Sequence, residues 1–246
     1  MENTNNRIGE IHTTNEGCKL EIIEYFGVNN CTIKFDDWNN TIMENICYHN
    51  IIKGGVKNPY HKSVYGVGYI GSRIKNKKGE RKMYKTWVGM LERGYSEKLK
   101  SVRPTYIGIT VCDEWHNFEN FKKWFQVNYN PEIMQGWDLD KDIICSECKV
   151  YSPETCAFVP QEINKLFIDR LTDKGYRITK NKKYEVRLNK EKSRVQIGTF
   201  NTPEEAFQAY KTAKEQYIKE VADKWKGLIS DKVYEAMYNY EVEITD

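Results

Sequence analysis

The sequence predicts an α+β protein assembled from several small parts, and three observations lead to that class. The first third of the chain holds short runs in which apolar and polar residues alternate, the two-residue period of a strand. The middle carries aromatic and aliphatic residues at three- and four-residue steps, the period of a helix. Towards the C-terminus, three alternating runs lead directly into one long helical pattern with its own start signals.

In the first part, Cys18, Leu20 and Ile22 alternate with Lys19 and Glu21. Cys31, Ile33 and Phe35 alternate with Thr32, Lys34 and Asp36, and Asn29-Asn30 supplies the turn between the runs. Ile42 and Ile46 belong to a third run ahead of Gly54-Gly55. These runs predict a small N-terminal β-barrel, SH3-like in type, over 1–68, with a loop from Asn58 to Gly68.

The middle part, 69–172, is mixed. Trp87, Met90 and Leu91 fall at helical spacing within 84–95. Ile107, Ile109 and Val111 alternate with Tyr106, Gly108 and Thr110, which predicts a strand. Asn117 precedes Phe118, Phe121, Trp124 and Phe125, an amphipathic helix. A second strand is expected over 137–143, a turn at Ser152-Pro153-Glu154, and a helix over 160–171 with Ile163, Leu166 and Phe167 facing inward.

The third part, 173–226, reads as a three-stranded sheet plus helix. Its strands are Tyr176-Arg177-Ile178, then Tyr184 to Leu188, then Arg194 to Phe200. Thr202-Pro203-Glu204-Glu205 opens the helix: Thr202 caps, Pro203 fits the first position and Glu205 completes a capping box. Phe207, Tyr210, Ala213, Tyr217 and Val221 form the face expected to meet Val186, Val195 and Ile197. Residues 227–246 are an acidic tail.

The formal net charge of +3 hides blocks of opposite sign. Residues 1–50 carry three basic and eight acidic side chains, and 53–103 carry fourteen and three. Residues 104–172 carry six and eleven, and 174–194 carry nine and two. Two separate basic stretches fit two contacts with a polyanion, against the alternative of solvated lysine-rich loops. No apolar run approaches the roughly 18–20 residues of a membrane span, and 1–6 is polar. The expectation is a soluble, cytoplasmic protein with no membrane contact.

The sheet of the third part carries the functional argument. Arg177, Arg187, Arg194 and Gln196 alternate outward from adjacent strands, on the face away from the helix. Arginine's planar fork donates two parallel hydrogen bonds and suits guanine edges and phosphates. Lys180, Lys182 and Lys183 in the hairpin would reach phosphates and set affinity more than sequence choice.

Gly175-Tyr176-Arg177, Tyr184-Glu185-Val186-Arg187 and Ile197-Gly198-Thr199-Phe200-Asn201-Thr202-Pro203-Glu204-Glu205-Ala206, followed by Ala209-Tyr210, resemble the AP2 domain family. The resemblance implies double-stranded DNA read by the sheet face, with Arg177 and Arg187 at matching contact positions. Tyr184 stands where family members often have tryptophan.

The middle part resembles an HNH endonuclease domain, a frequent companion of AP2 modules in phage and mobile-element proteins. The residues are Asp113-Glu114-Trp115-His116-Asn117-Phe118, Leu139-Asp140-Lys141-Asp142-Ile143 and Tyr151-Ser152-Pro153-Glu154-Thr155-Cys156 through Asn164. On that alignment Asp140 and Asn164 match, but Lys141 occupies the place of the histidine base. Attack on a phosphodiester needs a deprotonated water and a metal to hold the developing charge. Lysine, with an ordinary pKa near ~10.4, is a poor base at neutral pH. His116 and His61 remain as histidine candidates. Asp138, Asp140 and Asp142 share one strand face if the strand runs through all three, and would suit Mg2+ or else form an exposed acidic face.

Of seven cysteines, Cys145 and Cys148 form a single Cys-x-x-Cys pair, with Cys156 and Cys112 elsewhere. Two such pairs would point to a structural Zn2+; one favours free thiols. The reading is therefore a phage-type, double-stranded DNA-binding protein with a degenerate HNH-like middle and weak or absent nuclease activity. The first alternative is an active Mg2+-dependent nickase using Asp140, Asn164 and His116. The second is an interaction protein that blocks a host factor or assembles in a particle, through contacts such as the acidic tail.

Overall fold

The structure is a computed structural model that describes residues 7–72, 80–167, 175–190 and 193–243. The fold is mixed α+β, and the chain divides into two compact units, Met1–Lys123 and Trp124–Asp246.

In the first unit, β1 (Ile11–Thr13), β2 (Lys19–Tyr25), β3 (Cys31–Phe35) and β4 (Ile42–Ile46) pair antiparallel in chain order. The outer strands β1 and β4 do not pair with each other, so the expected barrel is an open four-stranded sheet. Four strands of three to seven residues are too few to close around a filled interior. One face is apolar, and its core of Leu20, Ile22, Ile33, Phe35 and Ile46 is completed by Ile51 of α1 (Tyr48–Ile52) and by Val56. The other face is mixed, with Ile11, Glu21, Lys34 and Ile42 side by side across the four strands.

The unit continues through α2 (Arg81–Tyr95), α3 (Glu97–Val102) and β5 (Thr110–Val111) into the first half of α4 (Phe118–Asn128). Trp87, Met90 and Leu91 are fully buried, as are Trp115 and Phe121. The Trp87 indole N–H donates to the Trp115 carbonyl at 2.7 Å, so the largest buried ring leaves no orphan donor. Asn117 caps α4, its Oδ1 accepting the Glu119 N–H at 3.0 Å. The strand expected over 106–111 is cut to β5, because Pro104–Tyr106 forms a 3-10 turn and Gly108 turns the backbone to φ +82°.

In the second unit, β6 (Asp138–Asp140) pairs antiparallel with β8 (Ala157–Val159), and β7 (Val150–Tyr151) lies between them in sequence. The rings of Trp124, Phe125 and Tyr129 gather on Phe158 at centroid distances of 5.5, 4.9 and 5.1 Å. The strand expected over 137–143 stops at Asp140, whose Oδ1 accepts the N–H groups of Asp142 and Ile143 at 2.9 Å each and turns the chain. The helix expected over 160–171 is α5 (Gln161–Asn164) and a 3-10 turn, Lys165–Phe167. Ile163 is buried, whereas Leu166 and Phe167 are half-buried, and the rest of that expected helix lies outside the described residues.

The remaining sheet is β9 (Tyr176–Ile178), β10 (Tyr184–Lys190) and β11 (Ser193–Phe200), antiparallel in the order β11-β10-β9. Along its back runs α6 (Pro203–Trp225), in contact with all three strands, and α7 (Asp231–Tyr238), within the expected acidic tail, packs on α6. The start of α6 follows from its local chemistry. Thr202 Oγ1 accepts the Glu205 N–H at 3.2 Å, and Glu205 returns the bond to the N–H of Asn201 rather than of Thr202. The buried face of α6 is Ala206, Tyr217, Ile218, Val221 and Ala222, while Phe207, Tyr210 and Ala213 are half-buried. Val195 and Ile197 remain 39% and 36% exposed, because β11 is an edge strand and bulges at Ile197. Among the described residues, no helix is long and apolar enough to cross a membrane.

Candidate nucleic-acid interface

Residues opposite one another on neighbouring strands share a face. On β10, Val186 and Leu188 are buried, so the intervening Glu185, Arg187 and Asn189 point away from α6. Register extends that outer face across the sheet: Arg177 and Thr199 flank Glu185, Gln196 lies opposite Arg187, and Arg194 lies opposite Asn189. The bulge matters here. Pairing steps from Val186↔Gly198 to Arg187↔Gln196, so the extra residue Ile197 is absorbed and Gln196 comes to face the same way as Arg187.

Glu185 sits in the middle of this polar face and is buried by its neighbours. Its Oε2 accepts from the Arg177 Nε, and its Oε1 accepts from an Arg187 terminal nitrogen at 2.9 Å. The two guanidiniums, Arg177 first, hold the Glu185 carboxyl below the usual carboxylate range. Sequence reading placed the arginines and passed over this acid. The available signal was its position two residues before Arg187 on one strand face, inside a strongly basic segment.

Lys180, Lys182 and Lys183 are exposed in the β9–β10 turn. The turn is closed by Thr179, whose N–H donates to the Lys183 carbonyl at 2.8 Å and whose hydroxyl accepts the Lys183 N–H at 3.1 Å. Tyr184 stands apart from the arginines. It alternates onto the side of Val186, pairs with Ile178 and Phe200, and sets its ring edge-on to Tyr176 at 5.3 Å. Of the first basic stretch, 73–79 lies outside the described residues, while Arg81, Lys82 and Lys85 sit on the opening turns of α2.

The nuclease candidates are distributed differently. Asp140 ends β6, Asn164 ends α5, and α5 packs against β6. Burial raises the Asp140 carboxyl above its usual value, although two backbone N–H groups oppose this. Lys141, 5% exposed, donates to the Asp142 carboxylate and to the Cys148 carbonyl at 3.2 Å. These residues do not fit a divalent cation. Asp142 lies off the strand face and is engaged by Lys141, and one Asp140 oxygen is already shared by two N–H donors. No group of three or more His, Cys, Asp or Glu side chains among the described residues is placed to hold a metal ion.

His116 closes a 3-10 turn, Asp113–His116, in the first unit, whereas Asp140 and Asn164 belong to the second. Its Nε2 is 2.9 Å from the Tyr95 hydroxyl and its Nδ1 3.7 Å from Asp113, and burial pushes its imidazole below the usual histidine value. Cys145 and Cys148, expected as free thiols, are joined in a disulfide, since a Cys-x-x-Cys turn brings the two sulfurs together, while Cys112 and Cys156 are not disulfide-bonded.

No protein-family model, curated protein or solved structure matches this chain.

Proposed function

We propose that this chain binds double-stranded DNA through the outer face of β9–β11. The observation that carries the reading is the shared face of Arg177, Arg187, Arg194 and Gln196, in register across three strands with α6 packed on the other side. A sheet backed by a helix presents a charged surface that a major groove can accept. Lys180, Lys182 and Lys183 extend it towards phosphates at the hairpin tip. In this reading the β6–β8–α5 segment is a nuclease-like element with weak or absent hydrolysis, as the burial and pairing of Lys141 at the base position support.

A salt titration of duplex binding tests the proposal. Wild-type affinity is expected to fall steeply with salt. Removing Arg177 or Arg187 is expected to lower the slope by about 0.9 for each phosphate that the variant no longer neutralises. Absence of binding at low salt would reject DNA as the partner and favour the interaction reading. Incubating supercoiled plasmid with Mg2+ tests the nuclease reading in parallel. Nicking that disappears in Asp140→Ala would establish an active HNH-type enzyme instead.

A further inference from the structure

We infer that Glu185 is a positioning residue that makes the two central arginines unequal, leaving Arg177 to discriminate between sequences and Arg187 to support it; this rests on the DNA-binding reading above. The inequality lies in which nitrogen each arginine gives to the carboxylate. Arg177 is anchored through Nε, the nitrogen nearest its stem, so both terminal nitrogens remain at the outer edge of a side chain that is 61% exposed. Arg187 is anchored through a terminal nitrogen, its side chain is only 31% exposed, and its Nε is buried with no partner. A guanidinium carries five N–H donors in a rigid plane. Arg177 therefore has both terminal nitrogens clear of the carboxylate and able to meet a pair of acceptors such as guanine O6 and N7, whereas one terminal nitrogen of Arg187 is already engaged.

Glu185 has two effects on the interface, and they pull in opposite directions. It orients Arg177 before any ligand arrives, so the cost of ordering a long side chain is met in the free protein rather than on binding. It also subtracts one charge from the face, which weakens attraction to any phosphate backbone regardless of sequence. A carboxylate in this place favours discrimination at the expense of non-specific affinity. The acceptor pair could also be two phosphate oxygens, and the experiment separates that source from a base edge.

The test uses the full chain and a duplex consensus obtained by selection from random DNA, with a scrambled duplex of equal length as the reference. In Glu185→Gln, affinity for the scrambled duplex is expected to rise and its salt slope to steepen by up to about 0.9. The consensus-to-scrambled ratio is expected to fall about tenfold, the worth of one oriented bidentate pair. Arg177→Lys, at an exposed position, keeps the charge and removes the fork; the ratio should fall similarly with the slope unchanged. A rise in affinity for the scrambled duplex together with a fall in the ratio is not produced by general damage to the fold. If Glu185→Gln lowers both affinities together, or leaves the ratio intact, Glu185 is not a positioning residue. If Arg177→Lys leaves the ratio intact, Arg177 meets phosphate and the inference fails while DNA binding stands. A wild-type chain that binds no duplex overturns both.

Discussion

Gly175 joins the conformational needs of a turn to the packing of α6, and replacing it by alanine isolates both. Its φ is +72°, in the left-handed region where a Cβ costs roughly 1–2 kcal/mol. An added Cβ would also lie 2.3 Å from Tyr210 Cγ and 2.9 Å from its Cβ. That is the root of the ring, which cannot swing aside as the tip of a flexible chain would, and overpacking of this kind costs about 1–3 kcal/mol. Gly175→Ala should therefore destabilise the chain by about 2–5 kcal/mol. Gly136 is the control, with φ +81° and no atom within 4 Å of an added Cβ. Gly136→Ala should cost only the backbone part, about 1–2 kcal/mol, and the entropy removed from the unfolded chain is common to both. Urea unfolding of the full chain, followed by circular dichroism, measures the difference. In a Tyr210→Ala background, which removes the ring but keeps the Cβ at 2.9 Å, most of the excess at Gly175 should be lost, as a double-mutant cycle will register. Equal costs for Gly175→Ala and Gly136→Ala, within about 0.5 kcal/mol, would refute the packing argument.

Three further outcomes follow from the same structure. Burial depresses the His116 pKa, so the unfolded chain takes up this proton first; the stabilisation is fully present above the ordinary value of 6.5 and is lost as pH falls through the lower folded value. Thermal midpoints should therefore drop on acidification below 6.5 in wild type and less so in His116→Gln. The Glu185 carboxyl is held below its ordinary 4.5, so its pairing with the arginines is present above that value and is lost only as pH falls through the lower folded one. Duplex binding should show no Glu185-dependent change between pH 7 and about 5, and one that Glu185→Gln abolishes would contradict this pairing. Thr202→Ala should cost about 1 kcal/mol through removal of the α6 cap, read as a lower urea midpoint with an unchanged slope.

The β6 segment illustrates how a local pattern can be cut short by its own side chains. Alternation from Trp137 to Ile143 is compatible with one continuous strand bearing three aspartates on a face. The chain breaks that pattern because the Asp140 carboxylate satisfies two N–H groups beyond it. With the turn in place, Asp142 leaves the face and engages the buried Lys141. The buried Lys141 is thus accommodated by a local ion pair.

Features that depend on near neighbours were legible in the chain alone. Alternation assigned Arg187 to one side of β10 and Val186 and Leu188 to the other, because successive side chains on a strand must diverge. Thr202 and Pro203 set the start of α6, because caps act over three residues. Other features depend on partners distant in the chain, and these took the fold to settle. The meander stays open because β1 and β4 do not meet, and α6 buries Tyr217, Ile218 and Val221 while Phe207, Tyr210 and Ala213 stay half-buried. Glu185 lies between two arginines because register brings Arg177 opposite it, eight residues away in the chain. A two-residue period records which way a side chain points, but not which side chain it will find there.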